Sequence, residues 1–220
     1  MIKINNLGIE NSLLNQFISE VRNIDTQNDP MRFRKNMERI GEIFAYEISK
    51  TMPYSKSNII TPLGEVEMNI LMPQPVLATI LRAGLPLHQG LLNYFDNAEN
   101  AFISAYRKHD EEGNFEIQID YMSSPTLKNR ILVIIDPMLA TGKSMVLAYK
   151  ALATMGAPKH IHIVSVIASV DGIEYVQKHF PQSKTTVWVG AIDQELTVQS
   201  YIVPGLGDAG DLAFGAKLQE

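Results

Sequence analysis

The chain has 220 residues, 45% of them apolar and 20% charged, which suits one globular domain able to bury about 70% of its unfolded surface and argues against disorder. Its 19 basic and 24 acidic side chains leave a formal charge of −5, which lacks the electrostatic footprint of a general nucleic-acid binder. With no cysteine, disulfides, thiolate metal sites, iron–sulfur clusters and cysteine nucleophiles are excluded together.

The opening MIKINNLGIENS lacks the basic start and apolar core of a signal peptide. No apolar run approaches the ~20 residues of a membrane span, so a soluble cytoplasmic protein is expected. Residues 11–50 read as helical. Phe33, Met37, Ile40, Phe44 and Ile48 fall on one face, Asp29 suits an N-cap, Pro30 suits the first helical position, and Pro53 lies beyond the end. Short apolar runs follow at 76–81 and 101–106. Residues 115–121 alternate like a half-buried strand, with the charged 108–113 as a hairpin tip between. Ile131-Leu-Val-Ile-Ile135 is the run expected of a central parallel strand covered on both faces. A helix is expected over 144–155, stopping at Gly156 and Pro158. Residues 161–168 read as a strand, 172–180 as a short helix and 185–191 as a strand. The last 20 residues, with four Gly and a Pro, read as an ordered loop. Strand–helix alternation over 76–191 predicts a parallel sheet flanked by helices. Three parts are expected within a single domain spanning 1–220: a helical part to about residue 52, a core over about 70–191, and a C-terminal part over about 192–215.

Ligands of open α/β sheets bind beyond the carboxyl ends of the strands, and three segments fall there. The first runs Asp136, Pro137, Met138, Leu139, Ala140, Thr141, Gly142, Lys143, Ser144 after the apolar strand. Backbone N–H groups opening a helix make an anion nest, and the hydroxyls of Thr141 and Ser144 can donate to it. Asp136, a few residues upstream, suits a hydroxyl-rich group, so a ribose 5-phosphate fits. The alternative is an ordinary strand–turn–helix with Asp136 as a cap. Gly142-Lys143-Ser144 looks like the end of a P-loop, but that motif needs glycine at position 137, which is Pro137. The second segment is Leu81-Arg82-Ala83-Gly84-Leu85, where Arg82 on a tight turn suits phosphate or diphosphate, or is simply a surface arginine. The third, Tyr201 to Asp211, is too apolar for a solvated linker. Its glycines let backbone groups face a small planar ligand.

Taken together, ILRAGL (80–85), AYRK (105–108), DPMLATGKS (136–144), AIDQEL (191–196) and YIVPGLGDAGD (201–211) resemble the uracil phosphoribosyltransferases, which are type I phosphoribosyltransferases. RFRKNMERIGEIFAYE (32–47) resembles the family's N-terminal helix, so the resemblance spans about residues 30–215 in order. It implies an α/β fold with a central parallel sheet, a flexible β-hairpin arm and a C-terminal base-binding hood. The implied reaction converts uracil and 5-phosphoribosyl 1-diphosphate (PRPP) to UMP and diphosphate in pyrimidine salvage. Carried over residue by residue, Asp136 would hold the ribose hydroxyls, and Leu139 to Ser144 the 5-phosphate, with Pro137 and Met138 lining the same loop. Arg82 and Arg107 would meet the diphosphate, Arg107 from the arm. Ile202, Gly207 and Ala209 would read uracil through backbone groups, and Asp208 would sit between base and diphosphate. The catalytic set is then Asp208, Arg107 and Arg82. Magnesium is expected to arrive on PRPP rather than at a protein metal site. Many bacterial members are tetramers activated by GTP, so a homo-oligomer is expected and GTP is a candidate activator, although no GTP site is legible.

Two departures stand out. The family loop usually reads ATGGS, and Lys143 replaces its second glycine, where a positive φ would be awkward for lysine. The arginine loop usually continues with Gly and an acidic residue, where this chain has Leu85, Pro86, Leu87, His88 and Gln89. Transfer to another base, an RNA-binding regulator on the same fold, and a nucleotide-binding paralogue without turnover remain alternatives. His160 and His162 point to one strand face without a third metal ligand nearby. His88, His109 and His179 read as surface residues, Trp188 and the ten methionines as core, and Glu65-Val-Glu67 as an exposed strand face.

Overall fold

The computed structural model describes residues 1–109 and 115–217, with backbone alone for 105–109 and 115–118. The chain opens on a strand, β1 (Lys3–Asn6), before the helices α1 (Leu13–Arg22), α2 (Ile24–Gln27) and α3 (Pro30–Ser49). The Asp29 carboxylate caps α3 by accepting from the N–H groups of Met31 and Arg32, and Pro30 needs no such partner. A hairpin of β2 (Tyr54–Thr61) and β3 (Gly64–Leu71) follows. It is exposed along nearly all its length, including the Glu65-Val66-Glu67 face. Next come β4 (Val76–Leu81), α4 (Leu85–Tyr94), β5 (Glu99–His109), β6 (Phe115–Ser123), β7 (Ile131–Ile135) and the short β8 (Met138–Leu139). The chain continues with α5 (Lys143–Ala153), β9 (His160–Ser169), α6 (Val170–His179), β10 (Thr185–Asp193), β11 (Glu195–Leu196), β12 (Ile202–Val203) and α7 (Ala209–Phe214).

The main sheet has the order β1-β10-β9-β7-β4-β5-β6, with β8 pairing β9. Every pairing in it is parallel except β5 with β6. β7 lies at its centre with all five residues buried. Its side chains alternate between faces, as a strand's must. Ile131, Val133 and Ile135 join the core under α1, α3, α4 and α7, while Leu132 and Ile134 join the core under α5 and α6. The expected strand–helix alternation with helices on both faces is therefore what the chain adopts.

Several expectations are corrected. The N-terminus begins as an edge strand rather than only helix, because β1 completes the sheet beside β10. Residues 85–94 form α4, with Pro86 in its first turn. His88 on that helix is buried at 4% exposure with its ring 5.4 Å from Phe102, so it is a core residue. The final segment is not loop throughout, since it winds into α7. Only Met37, Met52 and Met145 among the methionines are fully buried, while Met1, Met31, Met68, Met72 and Met155 are exposed. Trp188 is core, and its Nε1 donates to His162 Nδ1 at 3.0 Å. His179 is exposed, and the His109 side chain and the tip at 110–114 lie outside the described residues.

Candidate active site

Strand register decides where the candidate residues emerge. Thr79 of β4 pairs with Ile135 of β7, and Ile135 pairs with Val164 of β9. Arg82 lies three residues past the first of these and Asp136 one past the second, so both leave the sheet at its carboxyl edge. The Leu81–Arg82 peptide is cis.

Beyond Asp136 the loop is pinned on one side and open on the other. Pro137 O accepts from the N–H groups of Val166 and Ile167, and Met138 and Leu139 pair with Ile167 and Ala168. Ser169 Oγ donates to Ala140 O at 2.5 Å and accepts from Gly172 N at 2.9 Å, tying the loop to the start of α6. Gly172 packs so closely that a Cβ there would fall onto the carbonyl oxygens of Leu139 and Ala140. At the other end, Gly142 caps α5 with φ +74°, a left-handed conformation that glycine adopts at no steric cost. Lys143 is then the first residue of the helix with ordinary φ, so the feared strain at Lys143 does not arise. Gly142 offers no side chain to cap α5, so an anion can approach the helix N-terminus there. Thr141 Oγ1 accepts from Lys143 N at 3.4 Å, which keeps the hydroxyl hydrogen for donation.

Asp136 is partly exposed at the strand end, with Oδ1 accepting weakly from Met138 N at 3.4 Å. Its carboxyl is pushed up to about 7, first by burial and further by the negative charge of Asp208. The two carboxylates therefore feel one another although they lie 72 positions apart. Asp208 caps α7, with Oδ1 accepting from Gly210 N at 2.9 Å and Asp211 N at 3.0 Å. Burial works to raise its carboxyl, but those amides and the Lys217 ammonium outweigh it and hold it below the usual range. Arg82 is exposed and its Nη2 lies 3.2 Å from Asp211 Oδ1. Arg82, Asp136, the loop to Ser144, and Asp208 thus share one edge. Ile202 and Ala209 are buried in the hood, while Gly207 is exposed with φ +90°. Arg107 lies on β5 with its backbone opposite Ile117, and its side chain is outside the described residues.

Several supporting residues escaped the sequence reading. Arg22 of α1 makes a bidentate pair with Asp193, at 2.7 and 2.9 Å, and donates to Gly205 O at 2.9 Å. Asp193 Oδ2 also accepts from Gly205 N at 2.9 Å, so the base of the hood is clamped to α1 and the end of β10. Arg34 of α3 donates to Ala213 O at 2.6 Å and holds α7. Asp193 lies in the AIDQEL segment, the only local signal available. Nothing near Arg22 or Arg34 marks partners more than 170 positions away.

Comparison with known proteins points to one family. The sequence pattern of the uracil phosphoribosyltransferase family matches residues 8–216. The chain is 56% identical to a uracil phosphoribosyltransferase of Porphyromonas gingivalis over 99% of this chain and all of that one. It is 40% identical to a protein of that name from Methanococcus vannielii, over 92% and 86% of the two chains. Among solved structures, the AQ2163 protein from Aquifex aeolicus superposes with a TM-score of 0.85 at 30% identity, covering 98% of this chain and 100% of that one. With nearly its whole length matched, the chain belongs to the uracil phosphoribosyltransferase family of pyrimidine salvage.

Proposed function

We propose that this chain joins N1 of uracil to C1 of PRPP, forming UMP and releasing diphosphate, with the residue roles that follow. The observation that carries the reading is the convergence of Arg82, the Asp136–Ser144 loop and Asp208 at one sheet edge. Asp136 accepts hydrogen bonds from the ribose hydroxyls. The backbone of Leu139 to Ser144, with the Thr141 and Ser144 hydroxyls, holds the 5-phosphate. Arg82 and Arg107 stabilise charge on the departing diphosphate, and backbone groups of Ile202, Gly207 and Ala209 read the uracil edge.

The bond from C1 to diphosphate oxygen breaks as N1 bonds to C1, and its electron pair leaves with diphosphate. Positive charge develops on the sugar, as in glycoside cleavage. Orientation of two bound substrates then supplies much of the acceleration, and no covalent nucleophile is needed. Asp208 orients the complex or takes the N1 proton. Magnesium supplies charge neutralisation when it enters on the diphosphate. The nearby donors, the Asp136 and Asp208 carboxylates, are hard oxygen ligands of the kind that suit it. The reading extends to a homo-oligomer in the cytoplasm. Exposed Ile60, Leu63, Val66 and Met68 on the β2–β3 hairpin support the association, which light scattering tests.

The deciding experiment measures UMP formation from labelled uracil, PRPP and magnesium, with cytosine, hypoxanthine and orotate in parallel and GTP present or absent. Product with uracil alone is expected. Product with another base refutes the hood assignment, and a GTP-independent rate refutes activation. Asp208→Asn is expected to lower turnover about 100-fold, and near-normal turnover removes Asp208 from the chemistry.

A further inference from the structure

The C-terminal segment lays opposite charges directly on the charges of the site. Besides its pairing with Asp211, Arg82 donates from Nη1 and Nη2 to Gly215 O at 3.5 and 3.4 Å. Two residues further on, Lys217 Nζ lies 3.4 Å from Asp208 Oδ2. Since Oδ1 of Asp208 already serves the amides of α7, Lys217 occupies the carboxylate's other oxygen. Arg82 and Asp208 are both held by the chain's own tail.

We propose that Lys217 is a diphosphate-binding residue that rests on Asp208 until PRPP arrives. The proposal rests on the roles of Arg82 and Asp208 given above. Reach is the first support. The carbonyl of Gly215 touches Arg82, and consecutive Cα atoms lie about 3.8 Å apart, so an ammonium two residues on can reach the anion that Arg82 holds. Weak attachment is the second. Lys217 and Asp208 retain 43% and 27% side-chain exposure, and half-exposed pairs of this kind bind feebly and exchange readily. Charge is the third. Diphosphate would enter beside Asp136, Asp208 and Asp211, and a mobile ammonium with three donors offsets that repulsion as a point charge. Its transfer to diphosphate also frees Oδ2 of Asp208 when both substrates are in place, which couples filling of the PRPP site to availability of the carboxylate for the N1 proton.

The test compares Lys217→Gln, Lys217→Arg and Arg82→Gln with the unaltered protein, using magnesium diphosphate as the probe in titration calorimetry and product inhibition. Lys217 is exposed, and thermal unfolding of each variant checks that the fold is kept. Lys217→Gln is expected to weaken diphosphate binding and raise the PRPP KM about tenfold, the loss of one charged hydrogen bond, while the uracil KM at saturating PRPP is unchanged. Lys217→Arg should recover most of the affinity. Unchanged diphosphate binding in Lys217→Gln, with Arg82→Gln impaired, overturns the role of Lys217 and leaves the site intact. A shift only in the pH profile of kcat means that Lys217 acts through Asp208 alone, and also overturns it. If neither variant changes diphosphate binding, the site assignment itself fails.

Discussion

Asp136 is expected to be a functional group that costs the fold stability, and Asp136→Asn tests this. Its carboxyl is raised from 3.8 to about 7, mainly by burial and then by Asp208. The folded protein therefore holds this proton up to higher pH than the unfolded chain does. Between about pH 4 and 7 the folded state binds the extra proton, so stability falls as pH rises and levels off above 7. At about 1.4 kcal/mol per pH unit the full penalty is a little over 4 kcal/mol, and some 2–3 kcal/mol of it accrues between pH 5 and pH 8. Asparagine keeps the shape without the charge. In the absence of substrate, the Tm advantage of Asp136→Asn over the unaltered protein should grow by about 5–10 °C from pH 5 to pH 8. His162, pushed down to about 3 by burial and His160, titrates over the same range with the opposite sign, because its neutral form is lost on acidification. It is present in both proteins and cancels in the comparison. Differential scanning calorimetry across that range reads the difference, and a Tm difference independent of pH refutes the reasoning. The same variant should lose PRPP affinity, since an amide oxygen cannot replace two carboxylate acceptors.

Three further outcomes are expected. Arg22→Leu leaves Asp193, only 8% exposed, with an unpaired charge at the base of the hood. It should cost about 3 kcal/mol in urea denaturation and raise the uracil KM, and an unchanged uracil KM would show that the clamp does not shape the base site. Gly172→Ala drives a methyl into the carbonyls of Leu139 and Ala140, so the PRPP KM should rise about tenfold or more while the uracil KM moves little. Equal changes in both would place the damage in the fold at large. Trp188→Phe removes the donor to the buried His162 Nδ1, and should lower stability by about 1–3 kcal/mol in chemical denaturation. An unchanged midpoint would mean that the bond contributes nothing net.

Local patterns in the sequence determined the parts of this protein that depend on neighbouring residues. The five-residue apolar run of β7 pointed to a strand covered on both faces. Asp29-Pro30 and the spacing from Phe33 to Ile48 specified α3 and its buried face, and Gly142 before a helical pattern specified the start of α5. Side-chain periodicity, caps and turn glycines act over a few residues, so they are legible in one dimension. The motifs that mark the family lie in such segments as well. Tertiary structure alone decided which distant groups meet. Whether Asp136 feels Asp208, whether Arg22 clamps Asp193, whether Lys217 reaches the site, and whether His88 lies inside all depend on chain paths across the sheet edge. The sign and size of Asp136's shift belong to the same class, because burial and a charge 72 residues away are properties of packing. Periodicity constrains each element separately, whereas the electrostatics of the site come from the way those elements are brought together.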